Sequence, residues 1–244
     1  MFKKFQKHLL ENFPEIENQK ILLALSGGID SSVMLNLCIR SGLLVSIAHC
    51  NFQLRGRESI EDELWIKNIS KNKNLKCYIK RFETRKVAKE EKLSIQVAAR
   101  NLRYNWFNEL SRNYNFDLVL LAHHANDSLE TFMINTMRGS GLRGLLGIPK
   151  LKGKIFRPLL PFSKVQIMKY AKNNHIKWRE DSTNEKTDYL RNALRHEVIP
   201  VWKEINPYLE ERFLTTLTHL GEIQKALDYI ILDLKDRYFL KEKE

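Results

Sequence analysis

Apolar and polar positions in this chain follow two periods. Short apolar runs occur at 21–25 (ILLAL), 43–49 (LLVSIAH), 77–82 (CYIKRF) and 117–123 (DLVLLAH). Segments with helical spacing lie at 31–41, 59–73, 94–113 and 127–137. Buried strands separated by helices predict an α/β fold with a mainly parallel sheet and crossover helices. Right-handed crossovers make such a sheet doubly wound, and ligands then sit beyond the C-terminal strand ends where strand order reverses.

The second half reads differently. The stretch 138–150, RGSGLRGLLGIPK, is glycine-rich and basic and predicts a loop, partly mobile before substrate arrives. KIFRPLL (154–160) predicts a strand, 163–174 a helix, REDSTNEKTD (179–188) a polar segment and 188–198 a short helix. From 208 to 243 apolar residues recur every three or four positions, which predicts one long amphipathic helix. The expected division is a nucleotide-binding catalytic domain over 1–205 and a helical extension over 206–244.

Composition narrows the class. The chain has 244 residues with an ordinary apolar share, which suits one medium domain with an appendage and excludes extensive disorder. No apolar run approaches the roughly 20 residues of a membrane span. The apolar stretches of the N-terminus are too short for a signal peptide. A cytoplasmic location is expected. Cys38, Cys50 and Cys77 are odd in number, widely spaced and without a CxxC, so neither a disulfide framework nor a zinc site is expected. Net charge is +12, and from Arg138 to Arg195 there are 14 Lys plus Arg against 4 Asp plus Glu. A surface of that kind attracts polyanions such as nucleic acid; a solvated lysine-rich face gives the same count.

The chemistry starts at Ser26-Gly27-Gly28-Ile29-Asp30-Ser31-Ser32, between a predicted strand and a predicted helix. Glycines permit a tight turn that presents N–H groups, and the helix N-terminus adds partial positive charge. The pattern is neither GxxxxGK[ST] nor GxGxxG. Asp30 beside a phosphate is repulsive unless a cation lies between them, and Mg²⁺ suits carboxylate plus phosphate oxygens. Helix capping is the plainer role for the same aspartate.

SGGIDSS resembles the PP-loop of the ATP pyrophosphatases, a Rossmann-like fold. Further motifs follow in order: HCNFQLRG (49–56), AAR (98–100) with Arg103-Tyr104, AHHANDSLET (122–131), RGSGLRGLLGI (138–148), RPL (157–159) and WREDSTN (178–184) with Arg191-Asn192 and Arg195. From about 21 to 200 the ordered set is similar to the tRNA(Ile)-lysidine synthetase family. The resemblance implies ATP-dependent ligation of free L-lysine to C2 of the wobble cytidine of tRNA(Ile) with a CAU anticodon. The cytidine is adenylated first, and AMP and pyrophosphate are released. Ser26, Gly27, Gly28, Ile29, Asp30, Ser31, Ser32, His49 and His123 would then contact ATP, with Mg²⁺ on Asp30.

Asp127 and Glu130 are three apart at a helix start and share a face. Two carboxylates there suit a lysine ammonium and proton transfer from it; they also suit the helix dipole. The family often has Asp at position 126 and Gln at 128, where this chain has Asn126 and Ser128. Arg100 is expected near ATP. Arg191 and Arg195, four apart, are expected near the cytidine or the α-phosphate, where fixed guanidinium groups stabilise developing charge. With Arg138 and Arg143 they are also candidates for tRNA contact. Members of that family often dimerise and often carry further C-terminal domains. The apolar stripe of the last helix suits either contact, and reduced tRNA affinity relative to longer forms is expected. A PP-loop tRNA thiolase is the alternative, disfavoured by the missing CxxC; an NAD or GMP synthetase-like amidation is disfavoured by the basic second half. A nucleotide- and RNA-binding domain without turnover is the reading from another class.

Overall fold

The computed structural model describes residues 1–179 and 189–238. Residues 180–188, which hold most of the REDSTNEKTD segment and the last part of the WREDSTN motif, lie outside the described residues, as do 239–244 at the end of the last helix. The chain divides into two compact units: Met1–His124 with Lys150–Thr187, and Ala125–Pro149 with Asp188–Glu244.

The first unit is the predicted doubly wound sheet. Strands β1 (Ile21–Ala24), β2 (Val45–Asn51), β3 (Cys77–Arg81), β4 (Leu118–Leu120), β5 (Leu151–Lys152) and β6 (Ile155–Phe156) lie in the order β3-β2-β1-β4-β6-β5. All neighbours are parallel except β5 and β6. Strand order reverses between β1 and β4, which fixes where a ligand crevice opens. Alternation sorts the strand residues onto two faces. Ile21, Leu23, Leu118 and Leu120 pack on one side with Phe5, Val33, Leu37 and Ile167. Leu22, Val119 and Leu121 pack on the other with Trp106, Phe107 and Leu110. Burying each such strand side chain contributes roughly 1.5–3 kcal/mol, against roughly 1–2 kcal/mol for ordering its backbone.

The helices of this unit are α1 (Phe2–Asn12), α2 (Ile29–Arg40), α3 (Arg57–Asn72), α4 (Thr84–Glu90), α5 (Ile95–Asn113) and, after the sheet, α8 (Lys164–Asn173). Ser94 caps α5 through Val97 N–H, and Ser163 with Gln166 forms a capping box on α8. Two helices, α1 and α4, are additions to the predicted elements: α4 is short and buries only Thr84 and Ala88, whereas α1 buries Phe5, His8 and Leu9 along one face. The predicted strand over 154–160 shortens to Ile155–Phe156 because Pro158 has no N–H for a ladder and turns follow it.

The second unit is helical: α6 (Ala125–Met137), α7 (Leu142–Leu145), α9 (Tyr189–Ala193), a π-helical turn at Leu194–Val198, α10 (Ile199–Ile205) and α11 (Leu209–Tyr238). Leu129, Met133, Ile134, Leu194, Ile199 and Phe213 form its core, with Phe132 edge-on to Phe213 at 5.3 Å. The expected glycine-rich loop contains α7 and is tied to α6, where Asn135 Nδ2 donates to Gly144 O at 2.7 Å. Ser128 Oγ accepts from Ile148 N–H at 3.3 Å. The short helix predicted over 188–198 continues past Pro200 to Ile205. The wider turn precedes the proline and absorbs its missing donor, and α10 follows. No helix among the described residues is long and apolar enough to cross a membrane.

A buried carboxylate joins β2, α3 and β3. Glu63 accepts from Asn51 Nδ2 at 2.9 Å, Arg81 Nε at 2.7 Å and Lys67 Nζ at 2.8 Å. The Arg81 hydrogen bond holds its pKa down, from 4.5 to about 2, against the effect of burial. A folded-state value below the unfolded one contributes stability that is present above the unfolded value and lost as pH falls through the folded one. Thermal melts of Glu63→Gln should therefore show a flatter loss of melting temperature between pH 4.5 and about 2 than the native chain. Parallel curves would show that this network does not link stability to pH.

Candidate functional site

The switch point carries the glycine loop. Leu25 N–H donates to Ala48 O at 2.9 Å, which continues β1 to the turn. Gly27 then adopts φ +100°, a conformation side chains rarely take, and Gly28 caps α2. The serines brace the turn: Ser31 Oγ donates to Gly28 O at 3.0 Å and lies 3.0 Å from Ser26 Oγ, and Ser32 N–H donates to Gly28 O at 3.1 Å. Ile29, Ser31 and Ser32 are buried, although Ser31 still lines the cleft described next, and Ser26 is exposed.

The loop opens into a cleft of about 590 Å³. Its walls come from the C-terminal ends of β1, β2 and β4, including Ser26, His49, Phe52 and His123. His49 Nδ1 lies 2.8 Å from Leu25 O, and burial lowers the ring's pKa. The neutral ring donates through Nδ1 and keeps Nε2 as an acceptor. Cys50 also lines the cleft, and burial pushes its thiol up to about 12.

Asp30 has a partner that the motif did not reveal. Lys164 Nζ, from the first residue of α8, donates to both carboxylate oxygens at 2.7 and 2.8 Å. His124 Nε2 lies 3.7 Å from the same carboxylate. The loop therefore does have a lysine, supplied 134 residues away. No group of three His, Cys, Asp or Glu among the described residues could hold a metal ion by itself. One carboxylate fits a magnesium ion that brings phosphate oxygens with it.

The arginines are distributed in a way that spacing did not disclose. Arg100 is exposed on α5, with its guanidinium 5.1 Å from the Tyr104 ring centroid, and is absent from the cleft lining. Arg103 lines the cleft and lies 5.6 Å from the Phe52 ring centroid. Arg55 and Arg179 line it as well.

In the second unit the structure brings together Asp127, Glu130, Arg191 and Arg195. Glu130 is 1% exposed and takes Arg195 in a fork, Nε to Oε1 at 2.7 Å and Nη2 to Oε2 at 3.0 Å. Arg191 Nε lies 3.3 Å from Glu130 Oε2, and its Nη2 donates to Thr131 Oγ1 at 3.3 Å. Burial raises the Glu130 pKa against the pull of Arg195. Asp127 is less buried, 3.7 Å from Arg195. Arg138 is exposed, and Arg143 reaches Asp228 on α11 at 3.4 Å. Asn126 Nδ2 donates to buried Glu210 at 3.0 Å, which also takes Lys203 Nζ at 2.7 Å.

A braced glycine loop at the switch point of a doubly wound sheet defines a PP-loop domain, and a family model of that description matches residues 1–202. Among curated relatives, the tRNA(Ile)-lysidine synthase of Chlorobaculum tepidum is 36% identical over 251 residues, covering 96% of this chain and 74% of the relative. The chain belongs to the tRNA(Ile)-lysidine synthase family. The synthase of Bacteroides thetaiotaomicron is 37% identical over 227 residues, and the chain spans 53% of its length. The solved structure of a U34-tRNA thiolase, NcsA from Methanococcus maripaludis with its [4Fe-4S] cluster, shares the fold with TM-score 0.73 and 16% identity. It covers 90% of this chain and 79% of that one.

Arg195 forks onto both Glu130 oxygens, whereas Arg191 approaches one of them at 3.3 Å, and the two arginine side chains are similarly exposed, at 36% and 40%. Loss of either leaves the other beside the buried carboxylate, so neither substitution leaves that charge wholly uncompensated. Arg195→Ala should lower stability in urea melts more than Arg191→Ala, because it removes two hydrogen bonds from Glu130. Equal losses would show that the two arginines share Glu130 evenly.

Proposed function

We propose that the chain carries the ATP-dependent ligation of L-lysine to C2 of the wobble cytidine of tRNA(Ile) with a CAU anticodon, forming lysidine in the cytoplasm. The observation that carries this reading is the Asp30–Lys164 pair on the glycine loop, within a chain 36% identical to a curated synthase across most of both lengths. Members of such a family cleave ATP between its α- and β-phosphates. The cytidine O2 attacks the α-phosphorus and pyrophosphate leaves. The lysine side-chain amine then attacks C2 and AMP leaves.

In this reading the N–H groups of Gly27, Gly28 and Ile29 and the start of α2 take the pyrophosphate. Lys164 turns from Asp30 to a phosphate oxygen, which frees Asp30 to hold Mg²⁺. When bound, that ion neutralises phosphate charge. His49 and His123 border the nucleotide, His49 as a neutral acceptor. The guanidinium expected of Arg100 falls to Arg103, which lines the cleft where Arg100 does not.

Asp127 takes the ammonium of the substrate lysine and its proton before attack. Both Glu130 oxygens are engaged by Arg195, so Glu130 acts as a positioning residue, holding Arg195 and Arg191 for developing phosphate charge. Arg138 and Arg143, with their exposed guanidinium groups, contact the tRNA backbone. We further assign residues 1–205 to the catalytic domain and 206–244 to a helical extension, with the exposed apolar residues of α11 available to a second copy.

The thiolase reading finds one thiol in the cleft, Cys50, but a thiol held at about 12 is almost wholly protonated and a poor nucleophile.

AMP release with ATP, Mg²⁺, lysine and a tRNA(Ile) transcript, omitting one component at a time, tests the reaction. Release should require all four, and turnover that ignores lysine or accepts sulfide instead sinks the reading. Asp30→Ala should abolish ATP cleavage. Asp127→Ala should raise the lysine KM about tenfold or more while sparing adenylation; loss of both steps in equal measure would reject its role. Lys164→Met should weaken binding of a non-hydrolysable ATP analogue about tenfold with the melting temperature little changed. Unaltered analogue binding would remove Lys164 from the phosphate site.

A further inference from the structure

The first unit holds a second arrangement of charge that the glycine loop does not use. Asp62, on α3, is 6% exposed and lines the cleft. Its Oδ2 accepts from Arg55 Nη2 at 2.5 Å and its Oδ1 from Arg179 Nε at 2.5 Å. Arg55 comes from the turn between β2 and α3, while Arg179 lies 117 residues from Asp62 in sequence. One buried carboxylate thus holds two guanidinium groups side by side, each oxygen taking one. Both arginines also line the cleft, with side chains 21% and 31% exposed.

The backbone seats this pair beside the phosphate loop. Arg179 N–H donates to Gly27 O at 2.9 Å. Among the described residues, two further acids touch the arginines and are more exposed: Glu58, 3.8 Å from Arg55, at 49%, and Glu61, 2.9 Å from Arg179, at 58%. Exposed pairs of that kind are weak and give way to a better anion. A tie between α3 and residue 179 needs only one arginine, and an apolar contact of similar volume would serve as well. Two guanidinium forks set by one carboxylate at the wall of a cleft match the planar, multidentate recognition of phosphate oxygens.

We infer that Arg55 and Arg179, aligned by Asp62, form a second phosphate subsite in this cleft, separate from the glycine loop. It takes phosphate-ester oxygens, from the nucleoside triphosphate or from the RNA strand. Asp62 is a positioning residue. The inference rests on the reading of this unit as an ATP site, and its test separates the two.

Calorimetric titration would use the full chain with two ligands: a non-hydrolysable ATP analogue with Mg²⁺, and an anticodon stem-loop RNA. Arg55→Gln/Arg179→Gln should weaken one of them about tenfold to a hundredfold. Loss confined to the analogue assigns the subsite to ATP. Loss confined to RNA, with a salt dependence shallower by about one phosphate contact for each arginine, assigns it to the strand. Asp62→Asn should reproduce the same loss although it touches neither ligand; if it fails to fold, the arginine variants carry the test. Binding of both ligands within about twofold of the native chain overturns the subsite while leaving the ATP reading intact. A native chain that binds neither ligand removes both.

Discussion

Backbone N–H groups that cradle a phosphate have no rotamers to adjust, so their aim depends entirely on the chain before and after them. In this protein the constraint falls on the four residues between β1 and α2, Leu25 to Gly28. β1 is held on both sides by parallel neighbours, and α2 is buried along Val33, Met34 and Leu37. The turn between them is closed by bonds from Leu25, Ser31, Ser32 and Arg179. A side chain at Gly27 would be strained by its φ of +100° whatever space surrounds it. The loop is therefore set before any ligand arrives, and the crevice follows from the reversal of strand order beside it.

Buried carboxylates hold cations at several places in the structure. Asp62 holds Arg55 and Arg179; Glu63 holds Arg81, Lys67 and Asn51; Glu130 holds Arg195 and Arg191. Each acid is buried and each cation more exposed. Taking such a pair out of water gains little net stability. It does remove rotamer freedom from a long side chain and so fixes the direction of its guanidinium group. Asp127 contrasts with Glu130 three residues on: it is less buried and lies 3.7 Å from Arg195.

Much of this was legible along the chain. The continuous apolar runs around Leu22, Val119 and Ile47 indicated the parallel sheet, since a strand buried on both faces leaves such a signature. Ser26 to Ser32 gave the phosphate loop, because only glycine adopts its backbone angles easily. Short elements were not legible. α4 and α7 bury too few apolar residues to set a period, and the π-helical turn before Pro200 has no pattern of its own. Spacing placed Asp127 with Glu130 and Arg191 with Arg195, but it did not show that Glu130 already belongs to Arg195.

The sequence by itself determined the family, the class of fold and the residues of the phosphate loop, because those rest on local backbone preference and on periodic burial. The tertiary structure alone decided that Lys164 meets Asp30, that Arg103 rather than Arg100 lines the cleft, and that Arg179 reaches Asp62 and Gly27. The paired residues lie far apart in the chain, and Arg100 and Arg103, three apart on α5, are not distinguished by their spacing. Charge pairs carry no spacing rule across such separations, and only the packing of the sheet and its helices brings them within a hydrogen bond.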